Sequence, residues 1–390
     1  MLTVFQDFLP TISRIFRIAR FFGISNCSCH PAFLWTLIVL LTLMALEATA
    51  LWKFIKVLDG WASNTSEGRG FTARLSGSIF YGNALMSLIL SVKFVGSWRR
   101  LSVHWFRIET KESLRLAPDR RIKSRAIFIS ALVGFFAFVE HALSMMSATG
   151  LDCPPSEFFK TYILTSHGFL MRKSEYRLWF AIPIFVLSKI ATILWNFQDL
   201  IIILISMGLT SRYHRLNLYV RRVVKIEKKL SNIETGIDSH MHIQIWRRIR
   251  EAYVRQAGLV RKVDKELGAL VLLSNINNLY FICLQLFLGL KGPFINKLYY
   301  FVSLSWLLLR ACGVVLAASD VHIHSKRALI YLYSCPEGGF NIEMKRLRHQ
   351  LNYDYVALSG LGLFSLNRQL LLQVAAAILK YELVLIQYDK

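Results

Sequence analysis

Two groups of polar side chains stand inside long apolar runs of this 390-residue chain, and both have the chemistry of recognition rather than of bond cleavage. The first is Phe138-Val-Glu140-His141-Ala-Leu143, which puts a carboxylate and an imidazole among aliphatic and aromatic neighbours. The second is the terminal stretch Lys380-Tyr-Glu-Leu-Val-Leu-Ile-Gln-Tyr-Asp-Lys390, in which Tyr381, Glu382 and Gln387 interrupt an apolar segment. Polar groups at membrane depth are costly unless they meet a partner, a ligand or water. A terminal helix carrying them suits a pore lining or a helix–helix seam better than a simple anchor.

Enzyme chemistry has little support. No His, Cys and Asp residues fall at catalytic or metal-ligand spacing. Cys27-Ser-Cys29-His30 lacks a second ligand pair, so no metal and no cofactor is expected. Of the six cysteines only Cys153 lies in a connection expected outside the cell, which excludes an intrachain disulfide there. The net charge of +23 raises the question of nucleic acid, but the Lys and Arg concentrate in alternate connections between apolar blocks. A transporter is disfavoured because no internal repeat or paired half-helices are visible.

The elements that must position these groups are membrane helices. The chain is 54% hydrophobic. That exceeds the share usual in soluble domains. The excess lies in blocks of about 20 residues or more, long enough to cross a bilayer. The predicted fold class is therefore all-α and polytopic. Seven transmembrane helices are expected near 33–54, 73–96, 126–148, 178–208, 266–290, 298–320 and 366–388. The 97–125 connection carries nine Lys and Arg and the 209–265 connection fourteen, with a further basic cluster at Lys345, Arg346 and Arg348. Positive residues favour the cytoplasmic side, so the N-terminus is expected inside and the C-terminus outside. That is the reverse of a G-protein-coupled receptor. No cleavable signal peptide is expected, since Arg14, Arg17 and Arg20 lie on a short amphipathic stretch with no cleavage site after it. Asn64-Thr65-Ser66 falls in the first outer connection as a glycosylation acceptor, whereas Asn26-Cys27-Ser28 falls inside and should be silent.

The expected organisation is an N-terminal cytoplasmic segment (1–32), helices 1–4 (33–208), cytoplasmic helical extensions (209–265), helices 5–6 (266–320), a cytoplasmic helix with re-entry (321–365), and helix 7 with the C-terminus (366–390). Helical spacing of Val223, Ile226 and Leu230, then of Ile245, Ile249, Val254, Leu259, Val263 and Leu267, predicts that the fourth and fifth spans continue inward as helices. Ile342, Leu347, Leu351 and Tyr355 mark a further amphipathic helix. Such helices can lie on membrane lipid, but their number favours packing into a bundle.

The terminal segment also resembles a known family. Insect gustatory receptors end in Thr-Tyr, five hydrophobic residues and Gln-Phe; here Tyr381 and Gln387 keep the spacing, while Lys380, Glu382 and Tyr388 depart from it. The sugar-sensing branch is similar at Tyr381 through Gln387, at Phe138-Val-Glu-His-Ala-Leu143, at Trp195-Asn-Phe-Gln-Asp199, and at Ala357-Leu-Ser-Gly360 with Phe364, Leu366 and Arg368. The resemblance implies a sugar-gated cation channel in the plasma membrane of a sensory neuron, assembled as a homotetramer or heteromer. It implies a central pore lined by the last helix, a cytoplasmic anchor bundle, and a mono- or disaccharide pocket in the outer half of each subunit.

Under that reading Lys380, Leu383, Val384, Gln387 and Tyr388 line the pore and gate, with Tyr381 and Glu382 in a subunit seam. Four lysines around a pore would oppose cations. Lys380 must therefore turn away, pair with Glu382 or another carboxylate, or sit in a wide vestibule; otherwise the chain is a non-conducting co-receptor subunit. A sugar pocket needs aromatic faces and polar groups that match hydroxyls. The candidates are Ser78, Tyr81, Asn83, Glu140, His141, Trp179, Gln285, Tyr300, Ser303 and Trp306. Asn196, Gln198, Asp199, Asn275, Asn277 and Asn278 are expected to form interhelical hydrogen bonds, and Arg310 to pair with a carboxylate or helix end.

Overall fold

The computed structural model describes residues 8–25, 30–59, 71–110, 114, 116–150, 152–171, 173–231, 239–289, 294–335 and 341–388, with backbone alone for 30, 71–73, 230–231, 239–240, 287–289, 294–297 and 381–388. The sequon at Asn64 and the Cys27-Ser-Cys29 stretch lie outside the described residues. Eleven α-helices run through the described residues in the order α1 (Phe8–Ala19), α2 (His30–Leu58), α3 (Phe71–Thr110), α4 (Ile122–Thr149), α5 (Pro155–Ser166), α6 (Leu178–Ser231), α7 (Ser239–Gly289), α8 (Phe294–Lys326), α9 (Ala328–Tyr333), α10 (Ile342–Tyr353) and α11 (Arg368–Tyr388).

Among the described residues six stretches are long and apolar enough to cross a membrane: Pro31–Leu58, Arg74–Thr110, Ile122–Thr149, Leu178–Lys229, Met241–Leu286 and Leu298–Tyr333. The seventh expected span coincides with α11, a helix of 21 residues. The all-helical, multi-pass membrane class is thus what the hydropathy blocks predict. The helices nevertheless outrun those blocks. The longest, α6, has 54 residues. With a rise of about 1.5 Å per residue it is roughly 80 Å long, against a hydrocarbon core of about 30 Å. The surplus of α6 and α7 stands beyond the bilayer at the end of the molecule where the basic connections lie.

That protruding mass is packed. Tyr213, Leu216, Val220 and Val224 of α6 are buried, as are Trp246, Ile249, Tyr253 and Val260 of α7 and Met344, Leu347 and Leu351 of α10. The side chains that the spacing assigned to these faces are only partly right. Ile226 and Val254 are 56% and 46% exposed, and Ile342 and Tyr355 also face outward. The reason is rotation: each helix turns toward its actual neighbours, so Met344 takes the place expected of Ile342. Polar bonds lock the same interface. Tyr253 donates to Asn217 at 2.6 Å, Asn217 donates to the His324 carbonyl at 2.8 Å, and Trp246 donates to Glu227 at 2.7 Å.

α6 is the centre of the bundle and packs on α8, α7, α3 and α4, while α11 rests on α7 and α8. α1 is the amphipathic stretch foreseen near the N-terminus. Its Phe16 meets Trp98 of α3 with ring centroids 5.3 Å apart. The rings stand edge to face, an arrangement favoured by the aromatic quadrupole. Before α11 the chain turns sharply at Leu361 (φ 54°) and Gly362 (φ 77°). Glycine tolerates that left-handed backbone because it has no Cβ. Asp264 of α7 holds this turn by accepting from the Ser359 amide at 2.6 Å and the Ser359 hydroxyl at 2.8 Å.

Candidate functional site

A cavity of about 220 Å³ opens among α3 to α8, away from the basic end. α4 supplies Glu140, His141 and Ser144; α6 supplies Ser188, Thr192 and Trp195; α7 supplies Phe281 and Gln285; α8 supplies Tyr299. The remaining wall comes from Phe80 of α3 and from Tyr162, Ser166 and His167 in and after α5.

The polar side is one connected chain. Gln285 donates to the Ser303 hydroxyl at 2.9 Å, and Ser303 donates to Glu140 at 2.5 Å. The other amide atom, Gln285 Oε1, is buried without a partner, as is His167 Nε2. Buried polar atoms are normally satisfied, so these two leave unmet hydrogen-bonding capacity within the cavity wall. Burial, followed by the neighbouring Lys189 and His141, pulls the His167 pKa down to about 3. The ring is therefore neutral, with one nitrogen donating and one accepting. His141 meets Lys189 of α6, which also donates to the Tyr162 hydroxyl at 3.0 Å. The same ammonium stands 4.7 Å from the centre of the Tyr162 ring, within range of a cation–π attraction.

The apolar side is aromatic. Trp195 and Phe281 are 4.7 Å apart by centroid, and Trp195 donates to Asn278 at 3.0 Å. Beneath it Arg310 forms a buried ion pair with Asp199 at 2.7 Å and covers the Trp195 face at 4.7 Å. Ser274 and Asn278 of α7 also bond Asp199. This network rigidly seats the cavity floor, and it realises the interhelical role expected of Asp199, Asn278 and Arg310.

The candidate residues distribute unevenly. Glu140, His141 and Gln285 line the cavity, and Ser303 links two of them from behind. Tyr81 is buried one layer back, 3.4 Å from His167. Ser78 instead donates to Glu47 of α2 at 2.8 Å, and Asn83 is buried outside the cavity lining. Tyr299, the neighbour of Tyr300, provides the wall. The reason is that one residue turns a helical side chain by about 100°. Trp306 stacks on Phe136 with centroids 4.9 Å apart and lines a different groove. Trp179 is 87% exposed on the outer face of α6. Lys380 is exposed on α11; the side chains of Tyr381, Glu382, Leu383, Val384, Gln387 and Tyr388 lie outside those described.

Sequence reasoning missed Trp195 and Phe281 as walls, and Tyr162, Ser166 and His167 altogether. α5 does carry a start signal. It begins at Pro154-Pro155 with Glu157 in the first turn, the signature of a helix N-terminus.

A family model described as Trehalose receptor matches residues 6–390. The chain belongs to this family. Among curated proteins, it is 31% identical over 339 residues to the gustatory receptor for sugar taste 64a of Drosophila melanogaster, covering 82% of this chain and 71% of that protein. It is 29% identical over 322 residues to gustatory receptor 5a for trehalose of the same organism, covering 80% and 69%. Among solved structures, the insect olfactory receptor OR5 from Machilis hrabei superposes with a TM-score of 0.69 at 14% identity, covering 97% of each chain. That likeness establishes a shared helical fold.

Proposed function

We propose that this member of the trehalose-receptor family is a sugar-gated cation channel that acts as a taste receptor in the plasma membrane, with its N-terminus in the cytoplasm. The observation that carries the reading is the cavity with Glu140, Ser303 and Gln285 on one side and Trp195 and Phe281 on the other. Aromatic faces pack on the C–H faces of a pyranose, and the carboxylate and orphan amide oxygen accept from its hydroxyls. The relatives named for sugar taste and for trehalose point to the same ligand class. The volume lies below the ~300–1,000 Å³ usual for ligand pockets, so a disaccharide requires the cavity to expand. A ligand that fits the expanded form better shifts the protein toward it, and that shift is the gating signal.

The pore is assigned to four copies of α11. In a single chain Leu372 and Leu379, on one face of α11, are uncovered. That uncovered apolar face is the feature that supports assembly around α11. Leu383, Val384, Gln387 and Tyr388 then form the gate, and Tyr381 and Glu382 the seam. The second reading, a non-conducting subunit of a heteromer, is favoured by Lys380. Expression alone in cells without other receptors tests both. Sugar-evoked inward current is expected, with Glu140→Gln raising the half-maximal sugar concentration about 10- to 100-fold, as loss of a charge-assisted hydrogen bond predicts. Silence of a surface-expressed parent across mono- and disaccharides, with current restored by a related subunit, would select the second reading.

A further inference from the structure

A second cavity, of about 690 Å³, runs between α4, α6 and α8 at the basic end of the bundle. Its trunk is mainly apolar, with Leu132 of α4, Ile203 and Met207 of α6, and Gly313 of α8, and the Arg310 that also lines it is neutralised by Asp199. Its mouth carries Arg125, His214, His324 and Arg327. Two carboxylates, Asp119 and Asp320, also stand there, but both are engaged elsewhere. Asp119 accepts from the Ser211 hydroxyl at 2.7 Å and the Arg121 amide at 3.1 Å, and Asp320 pairs with Arg368 of α11 at 3.3 Å.

Among the described residues neither Arg125 nor Arg327 forms an ion pair. Arg327 is oriented rather than neutralised. The His324 Nδ1–H donates to the Asp320 carbonyl at 2.9 Å, which leaves Nε2 to accept from the Arg327 guanidinium at 3.3 Å. The flank of the groove is lipid-like in demand, since Phe128 of α4 and Leu309 of α8 are exposed beside it.

From this we infer that the groove holds one anionic glycerophospholipid of the adjoining leaflet, its phosphate on Arg125 and Arg327 and one acyl chain between α4, α6 and α8. Guanidinium forks match phosphate oxygens in pairs. Basic pockets between membrane helices, on the side where the protein's positive residues lie, have the character required for such headgroups. The inference is independent of the sugar reading, because it uses neither the aromatic cavity nor the pore.

The test uses the full chain, purified, delipidated and titrated with palmitoyl-oleoyl phosphatidylserine or phosphatidylcholine, with bound lipid counted by native mass spectrometry. The parent should bind phosphatidylserine about tenfold or more tighter than phosphatidylcholine. Arg125→Gln/Arg327→Gln should abolish that preference, while Arg221→Gln/Arg222→Gln, a pair elsewhere on α6, should keep it. Gly313→Leu should weaken both lipids alike. The position is suited to that variant, because a Cβ at Gly313 would meet only Ile203, at an ordinary 3.7 Å. If the double arginine variant does not fold, Arg327→Gln and Gly313→Leu carry the test. Retained phosphatidylserine preference in the arginine variants, unchanged lipid binding in Gly313→Leu, or equal competition by inorganic phosphate, which would indicate a free-anion site, would each overturn the assignment.

Discussion

Replacing Arg310 by methionine would leave Asp199 buried and uncompensated beneath Trp195, with only Ser274 and Asn278 as donors. Breaking one partner of a buried pair costs about 3–5 kcal/mol, whereas replacing both by apolar groups is often neutral. Arg310→Met should therefore lower the melting temperature in detergent and deplete the protein from the cell surface. The double variant Asp199→Leu/Arg310→Met should recover most of that stability. If the double variant is as unstable as the single, the pair is not what holds the floor. The importance of these residues was legible from their depth in apolar runs, because a charge there demands a partner. Which partner was not legible. Glu140 and Ser303 are 163 residues apart and meet only because α4 and α8 pack side by side.

Among the elements, the joint between α7 and the turn before α11 is backbone packed closely on backbone. A Cβ at Gly268 would lie 3.1 Å from the Leu361 amide nitrogen and 3.3 Å from the Ser359 carbonyl, so backbone rather than a mobile side chain must give. Gly268→Val should cost about 1–3 kcal/mol by overpacking and loosen the start of α11. Faster proteolysis near 359–366 would report it, and protection equal to the parent would refute it. The α7–α10 contact carries a pH dependence. Glu343 accepts from Arg250 and Arg346, each at 2.7 Å, and these bonds, Arg250 first, hold its carboxyl below the usual range. A lowered folded-state pKa means that the unfolded chain binds more protons, so stability falls as pH falls. The contribution is complete above the ordinary glutamate pKa of 4.5 and is lost as pH drops through the lowered value. Thermal melts from neutral into acid should show Glu343→Gln less stable at neutral pH, with the gap to the parent closing in acid.

For the whole molecule, the decisive residue is Lys380, exposed on α11 in a single chain. If four copies of α11 surround the ion path, four ammonium groups near the axis oppose cations. Lys380→Thr should then increase unitary cation conductance without moving the half-maximal sugar concentration. An unchanged unitary current would place the lysine off the ion path. The two cavities share three helices, α4, α6 and α8. Glu140 stands on the wall of the first, and Arg310 lines the second while its ion pair underlies the first. A change in the packing of α8 against α6 would therefore be felt in both.

The multi-pass membrane class was determined by the sequence alone, because a run of about 20 apolar residues is a local property, and a charge within such a run is conspicuous. The helical extensions beyond the membrane were also legible from spacing. Even so, Ile226, Val254, Ile342 and Tyr355 face outward, so spacing places a face only coarsely. Everything that depends on rotation and tilt was decided by the tertiary structure. It selected Tyr299 over Tyr300, sent Trp306 to another groove and Trp179 to the surface, and folded α5 back so that Tyr162 and His167 close the cavity. Side-chain direction in a packed bundle is set by contacts between distant helices, and no local window of sequence contains them.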